Sequence, residues 1–219
     1  MSKTTEATAV AVKAPAELST RRESELGNNL DSHDIDIPRM NIVQKTSEID
    51  AEYGSVVVDK KHTLLELDQI GEAAVVSAAK GWREDIPYDD EGIPRMAFTQ
   101  DESDAIASQS EYDMIEFAEI TLLIKQPDGA SEEAYPFPIG DHQYSIGKIN
   151  VAKDAYRQTF KRLATFAAFN RSVPIHTRIW SFAANTLSRG KYTWVAPSLT
   201  VTNAAPPAAV TEFLETFAR

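Results

Sequence analysis

The sequence predicts a mainly β protein of the α+β class, in which antiparallel strands are accompanied by one long helix, a late β-hairpin and a short C-terminal helix. Residues 54–129 contain segments that are β-branched or that alternate between apolar and polar residues, and Gly, Asp and Pro bound these segments. A later run carries apolar residues at helical spacing, and two alternating segments then flank a Ser-Arg-Gly turn. Together these observations favour a sheet or barrel with few helices.

The chain has two regions of different composition. Residues 1–34 are rich in Ala, Thr, Ser, Glu and Lys, and they contain no aromatic residue and no sustained period. Such a segment buries too little apolar surface to offset the entropy of ordering, so we expect a disordered N-terminal arm. Residues 35–219 are enough to bury the core of one domain.

Four segments of the first half predict antiparallel strands, at residues 54–59, 63–68, 71–84 and 113–129. In the last of them both faces mix apolar and polar residues, as in a long strand that bends between sheets or pairs along a barrel. The run at residues 101–113 predicts a short helix or a loop. Pro-Asp-Gly at residues 127–129 predicts a turn.

The tetrapeptide Ile-Pro-Arg-Met occurs twice, at residues 37–40 and 93–96. Proline fixes its own φ and pushes the preceding Ile towards extended geometry, so each copy predicts an extended segment that leads into an apolar strand. Because the similarity ends with the tetrapeptide, we favour recurrent local chemistry over an internal duplication. Arg39 and Arg95 each lie in an acidic stretch and are expected to pair with neighbouring carboxylates.

The one long helix is predicted from Asn150, as N-cap, to Asn170. Its apolar face is formed by Ala152, Tyr156, Phe160 or Thr159, Leu163 and Ala167. On another face Lys153, Arg157 and Lys161 are spaced four apart, with Arg162 beside them. We expect this cationic ridge to contact phosphates, and a merely solvated helix face is the alternative.

The hairpin is predicted from residues 176–187 and 191–202. Trp180 shares a strand face with Arg178, and Trp194 shares one with Tyr192. Aromatic rings interleaved with cations suit single-stranded nucleic acid, because every base offers a ring face for stacking and every phosphate a charge. The alternative is that these aromatics are core residues. The predicted nucleic-acid-binding residues are therefore Lys153, Arg157, Lys161, Arg162, Arg178, Trp180, Arg189, Lys191, Tyr192 and Trp194.

The chain ends in a predicted amphipathic helix after the Pro-Pro pair at residues 206–207. The apolar side of this helix carries Val210, Phe213, Leu214 and Phe217. We expect that side to pack either on the body of the protein or on a second subunit. In the second case the protein would be a homo-oligomer.

Charge is distributed unevenly along the chain. Residues 31–140 carry 8 Lys and Arg against 25 Asp and Glu, whereas residues 141–219 carry 10 against 4, within an overall net charge of −11. A basic C-terminal third in an acidic protein predicts a polyanionic partner. The alternative is that the basic third docks on the acidic region of the same chain or on an acidic partner, as in a non-enzymatic interaction protein.

Several other classes of protein are disfavoured by the sequence. Without cysteine there is neither a disulfide framework nor a thiolate metal site, and the apolar run at residues 9–12 is too short for a signal or a membrane span. We therefore expect a cytoplasmic protein without membrane association. The four histidines are scattered and no nucleotide or hydrolase motif is present, so we expect no cofactor, no metal and no enzymatic activity. A metal-dependent nuclease is the alternative, with carboxylates among Glu84, Asp85, Glu116 and Glu119.

The layout as a whole resembles small bacteriophage single-stranded DNA-binding proteins. The resemblance rests on the Ile-Pro-Arg segment near residue 37, the short strands, Gly-Trp-Arg-Glu at residues 81–84, and the Tyr-Arg-Gln-Thr-Phe-Lys-Arg-Leu helix before the Trp and Tyr hairpin. It implies an antiparallel β-barrel of the oligonucleotide-binding (OB) type. It also implies a non-catalytic role in phage DNA replication or recombination, in the host cytoplasm and alongside replication or recombination proteins.

Overall fold

The computed structural model describes residues 36–87 and 90–217. The strands are β1 (Met40–Ile42), β2 (Val56–Val58), β3 (His62–Leu65), β4 (Gly71–Glu84), β5 (Met96–Ala97), β6 (Met114–Lys125), β7 (Phe137–Ile139), β8 (His142–Ala152), β9 (Ile179–Arg189) and β10 (Tyr192–Val201). The helices are α1 (Gln100–Ala107), α2 (Lys153–Gln158), α3 (Phe160–Phe169) and α4 (Ala208–Phe217). The N-terminal arm predicted at residues 1–34 lies outside this range.

One large antiparallel sheet dominates the fold. Its strands follow the order β10-β9-β4-β6-β8-β7, and the short β5 pairs with β4. The sheet curls into a half-barrel, and β1, β2 and β3 form a separate small antiparallel sheet. This architecture confirms the predicted mainly β, OB-like fold. No helix in the described part of the chain is both long and apolar enough to span a membrane.

Residues 38–44 bridge the two sides of the curled sheet, and we call this bridge the seam. On one side the Lys148 amide of β8 donates to the Pro38 carbonyl at 2.9 Å. On the other side the Gln44 side chain bonds to both backbone groups of Val195 in β10, at 2.9 and 3.1 Å. Gly147 makes the close approach on β8 possible, because a Cβ there would lie 2.8 Å from side-chain atoms of Met40.

The core divides between the two faces of the large sheet. Strand β6 shows the division: Ala118 and Ile120 enter the main core, whereas Leu123 points to the opposite face. Helices α2 and α3 pack on the main core, and α4 covers the opposite face with Val210 and Leu214. The predicted C-terminal helix is thus present and packs on the body of the protein, while the side chain of Phe217 lies outside the described atoms.

Several local predictions are confirmed. Each Ile-Pro-Arg-Met tetrapeptide ends at the first residue of a strand, Met40 in β1 and Met96 in β5. The predicted short helix is α1, which begins with a capping box between Thr99 and Glu102. The predicted hairpin is formed by β9 and β10 around Gly190, whose φ is +60°. Strands β7 and β8 were not predicted.

The helix predicted from Asn150 to Asn170 differs from the one observed. Asn150 is not an N-cap, because it pairs with Glu119 in the β6–β8 ladder and β8 continues to Ala152. The helical run from Lys153 to Phe169 is also divided in two at Thr159. Thr159 has φ −120° and ψ −83°, and its buried hydroxyl donates to the Ala155 carbonyl at 2.6 Å. The cations before and after this break therefore belong to two separate helices.

Candidate nucleic-acid interface

An open groove of about 590 Å³ lies between α3 and the edge strand β10. We call it the α3–β10 groove. Its lining combines cations, aromatic rings and small polar groups: Arg157, Lys161, Arg162, Thr165, Phe166, Phe169, Asn170, Trp180, Thr200 and Val201. No carboxylate is among these lining residues. Three of the predicted cations thus converge on one concavity with aromatic rings beside them.

The three cations of the groove are held differently. Arg162 donates to the Leu199 carbonyl at 3.0 Å and to the Thr200 hydroxyl at 2.9 Å. The exposed Lys161 forms no ion pair with a described residue, and its Nζ lies 5.9 Å from the ring centroid of Tyr156. Arg157 is paired with Asp154 on the same helix. Lys161 is therefore the cation of the groove that is most available to a phosphate.

The aromatic wall of the groove contains one strongly exposed ring. Phe169, the last residue of α3, has 85% of its surface exposed. Beside it Phe166 is half-buried and meets Trp180 edge to face, with 5.4 Å between the ring centroids. The exposed phenyl ring of Phe169 offers a face on which a base could stack.

Trp180 does not present a free ring face, which corrects its prediction as a stacking residue. Only 1% of its surface is exposed, and it lies in the main core. Its indole N–H donates to the Ile175 carbonyl at 3.3 Å. The alternation of β9 aims Trp180 inwards, and the core interpretation of this residue is correct.

The predicted ridge of Lys153, Arg157 and Lys161 is not continuous. Lys153 begins α2 and its Nζ lies 2.6 Å from a carboxylate oxygen of Asp85. Asp154 pairs with Arg157 and also lies 3.8 Å from the guanidinium of Arg189 at the hairpin end. These carboxylates partly neutralise the first half of the ridge, whereas Lys161 lies beyond the break at Thr159.

The end of the β9–β10 hairpin forms a second cationic surface with aromatic rings. Tyr192 is 67% exposed, and Lys191 places its Nζ 5.4 Å from the centroid of that ring. Trp194 is half-buried and lies opposite Leu187, on the sheet face that Tyr192 and Arg189 share. Arg178, at the other end of β9, donates to the Asn203 carbonyl at 3.4 Å. Tyr192 and Trp194 thus share one face, and Trp180 points to the other.

Three of the four carboxylates considered for a nuclease, Glu84, Asp85 and Glu116, are engaged by neighbouring side chains. Glu84 accepts from Arg95 at 2.7 Å and from Ser110 at 2.5 Å, and these bonds, led by the one to Arg95, lower its pKa to about 2. The pairing expected for Arg95 is thereby confirmed. Glu116 pairs with Lys80 at 2.5 Å. Within residues 36–87 and 90–217, no group of three or more His, Asp or Glu side chains is arranged to hold a metal ion.

Phe169 and Val201 of the groove were not identified from the sequence. Phe169 falls outside the apolar stripe predicted for the helix, and a large aromatic residue off the stripe of a cation-rich helix could have indicated it. Val201 carried no such signal, because its exposure depends on its position at the edge of the sheet.

Comparisons with family models, curated proteins and solved structures found no match to this chain.

Proposed function

We propose that this protein binds single-stranded DNA without catalysis, and that the α3–β10 groove is its main contact surface. The observation that carries the proposal is that the exposed ring of Phe169 lines the same groove as Lys161 and Arg162, and that no carboxylate is among the lining residues. Stacking on an aromatic ring is tolerant of sequence, because each base has a ring face. The neighbouring cations would neutralise the phosphates that flank a stacked base.

The hairpin end would extend this surface. Lys191 and Arg189 are exposed beside Tyr192, so a strand leaving the groove would meet a second ring with cations next to it. Two stacking platforms joined by cationic surface are typical of proteins that bind single strands without sequence preference. On the resemblance to bacteriophage single-stranded DNA-binding proteins, we propose that this activity serves DNA replication or recombination.

A direct test compares a fluorescein-labelled homopolymeric single strand with a duplex of the same length, by fluorescence anisotropy over a salt series. The proposal predicts tighter binding of the single strand and a linear loss of log affinity with log salt concentration. Phe169→Ala and Lys161→Ala should weaken binding. Lys61→Ala, which removes a cation of the acidic region that does not line the groove, is the control. Equal affinities of all four proteins would contradict the proposal.

The second candidate is a non-enzymatic interaction protein, and one contact favours it. Lys153 pairs with Asp85 at 2.6 Å, which joins the basic third to the acidic region. Among ion pairs in which both side chains are described, this is the one pair that links the two regions. If the wild-type protein binds an acidic polypeptide such as polyglutamate as tightly as it binds single-stranded DNA, this second candidate is favoured.

A further inference from the structure

A second concavity, of about 230 Å³, lies at the seam between β1, β8 and β10. We call it the seam cavity. Its polar lining comes from Arg39, Asn41, Gln44, Lys148 and Asn150. No carboxylate is among its lining residues, although the acidic region of the chain supplies three of its polar groups. A cavity with two cations and several amide donors is suited to an anion.

The two cations of the seam cavity lack carboxylate partners among the described residues. Arg39 is exposed and Lys148 half-buried, and neither forms an ion pair there. The second Ile-Pro-Arg-Met copy provides a contrast, because its Arg95 is bound to Glu84 at 2.7 Å. The carboxylate pairing expected for Arg39 is therefore not found among the described residues.

Two carboxylates that the backbone pairing brings near the cavity, those of Asp59 and Glu119, do not line it. Asp59, whose amide donates to the Arg39 carbonyl at 3.0 Å, has its carboxylate 3.6 Å from the Nζ of Lys61. Glu119 lies opposite Asn150 on β6, is not a lining residue of the cavity, and forms no ion pair with Lys148. Backbone pairing holds the two cations together, since Arg39 and Lys148 form a parallel β-bridge.

We propose that the seam cavity binds a phosphate group, with Arg39 and Lys148 as its cations and Asn41 and Asn150 as neutral donors. A guanidinium offers a fork of N–H donors that matches phosphate oxygens, and an ammonium adds a compact charge. At about 30 Å³ for each water in the liquid, the cavity has room for roughly eight waters. A phosphate group with part of its hydration shell therefore fits.

The phosphate could come from two sources. Val195 and Pro197 line the seam cavity and Thr200 and Val201 line the α3–β10 groove, all on β10. At about 3.3 Å per residue, the two sites are roughly 10–20 Å apart along that strand. A DNA strand in the groove could therefore place a backbone phosphate in the seam cavity, and this source rests on the proposed function. Inorganic phosphate or a free nucleotide is the other source.

The experiment has one arm for each source and uses the seam variant Arg39→Gln/Lys148→Gln together with the control Lys80→Gln/Lys125→Gln, whose two lysines line neither the seam cavity nor the α3–β10 groove. The first arm titrates inorganic phosphate against chloride at constant ionic strength, and follows backbone amide shifts in two-dimensional NMR spectra. The second arm measures the affinity of a single-stranded oligonucleotide over a salt series. Both arms use the full chain. Amide mapping on the wild-type protein gives a result even if the double variant does not fold.

In the wild-type protein we expect phosphate-specific shifts at the amides of Arg39, Gly147 and Lys148, and these shifts should saturate as phosphate is added. The affinity for phosphate that they report should be at least tenfold weaker in the seam variant, and it should be unchanged in the control. A seam variant whose oligonucleotide salt slope also falls by about two identifies backbone phosphate as the source. An unchanged salt slope identifies free phosphate or a nucleotide. If the wild-type protein binds phosphate but no oligonucleotide, the proposed function fails and the site stands. Absence of phosphate-specific shifts, together with an unchanged oligonucleotide salt slope, would overturn the proposal.

Discussion

The guanidinium of Arg162 donates a hydrogen bond of 3.0 Å to the carbonyl of Leu199, and so attaches α3 to the edge strand β10. Arginine carries five N–H donors, and the two bonds to Leu199 and Thr200 leave others available. Arg162 therefore shapes the groove, whereas its neighbour Lys161 has no ion pair with a described residue. The two adjacent cations are expected to respond differently to mutation.

Lys161→Ala should weaken binding of single-stranded DNA and lower the slope of log affinity against log salt by about one, because one phosphate contact is lost. Its thermal stability should stay within about 0.5 kcal/mol of the wild type, as for other exposed substitutions. Anisotropy titrations at several salt concentrations measure the slope. Lys61→Ala should leave the slope unchanged, and an equal slope in both variants would contradict the assignment of Lys161.

Phe169→Ala should cost about 1–3 kcal/mol of single-strand binding, the usual contribution of one base stacked on an aromatic ring. Because the ring is 85% exposed, the free energy of unfolding should change little. Phe169→Tyr keeps the ring face and serves as the matched control. Affinity and thermal unfolding are measured on the same samples. A loss of stability with unchanged affinity would mean that the ring is structural.

Replacing the two hairpin tryptophans by alanine should have different effects on stability and on binding. Trp180→Ala should destabilise the protein by about 3–5 kcal/mol, since a buried indole leaves a large cavity. Trp194→Ala should cost about 1–3 kcal/mol of binding if a base stacks at the hairpin end, and less stability than Trp180→Ala because Trp194 is half-buried. Denaturant unfolding and oligonucleotide anisotropy distinguish these effects. Unfolding of the Trp194 variant without a binding defect would remove Trp194 from the interface.

Glu84→Gln should change how stability depends on acid. In the folded protein Arg95 and Ser110 lower the pKa of Glu84 to about 2, against the ordinary value of 4.5. The carboxylate therefore contributes stability above about pH 4.5, and this contribution is lost as the pH falls towards 2. In the variant the decline of stability over that pH window should be shallower. Urea unfolding at several pH values measures this decline, and Glu66→Gln, at an exposed position, is the control. Identical pH profiles for the wild type and Glu84→Gln would exclude a contribution of the Glu84 carboxylate to stability.

Gly147→Ala should loosen the seam. A Cβ at this position would lie 2.8 Å from Met40 and 3.1 Å from the Pro38 carbonyl, so β1 would have to move away from β8. Overpacking of this kind typically costs about 1–3 kcal/mol. Amide hydrogen exchange at Lys148, whose N–H bonds to Pro38, should become faster. Gly129→Ala, at an open turn with positive φ, tests whether any glycine substitution has the same effect.

The sequence predicted those elements whose local pattern agrees with their final environment. The β9–β10 hairpin follows from alternation around Ser-Arg-Gly, and α4 follows from an apolar face after a Pro-Pro break. Strand β8 was missed because Asn150 is also a good N-cap, and only pairing with β6 decides for the strand. Long-range ladders of this kind are not visible in a local pattern.

The candidate site was predictable in composition more than in arrangement. The basic third and its aromatic residues were visible in the sequence, and three of the predicted cations line the α3–β10 groove. The helix break at Thr159 was not predictable from spacing, yet it separates Lys161 from the ion-paired Arg157. Likewise alternation placed Trp180 and Trp194 on strands, but the curl of the sheet decided which face became core.

The edge of β10 has a consequence for self-association. An open edge strand offers free backbone donors and acceptors that can recruit a strand of another molecule and so seed aggregation. Here Gln44 occupies both backbone groups of Val195, Pro197 has no N–H to offer, and Arg162 occupies the carbonyl of Leu199. Val195, Pro197 and Leu199 are every second residue of β10, so their backbone groups face the same, outward side of the strand. These contacts disfavour the pairing of another strand along residues 195–199 of β10.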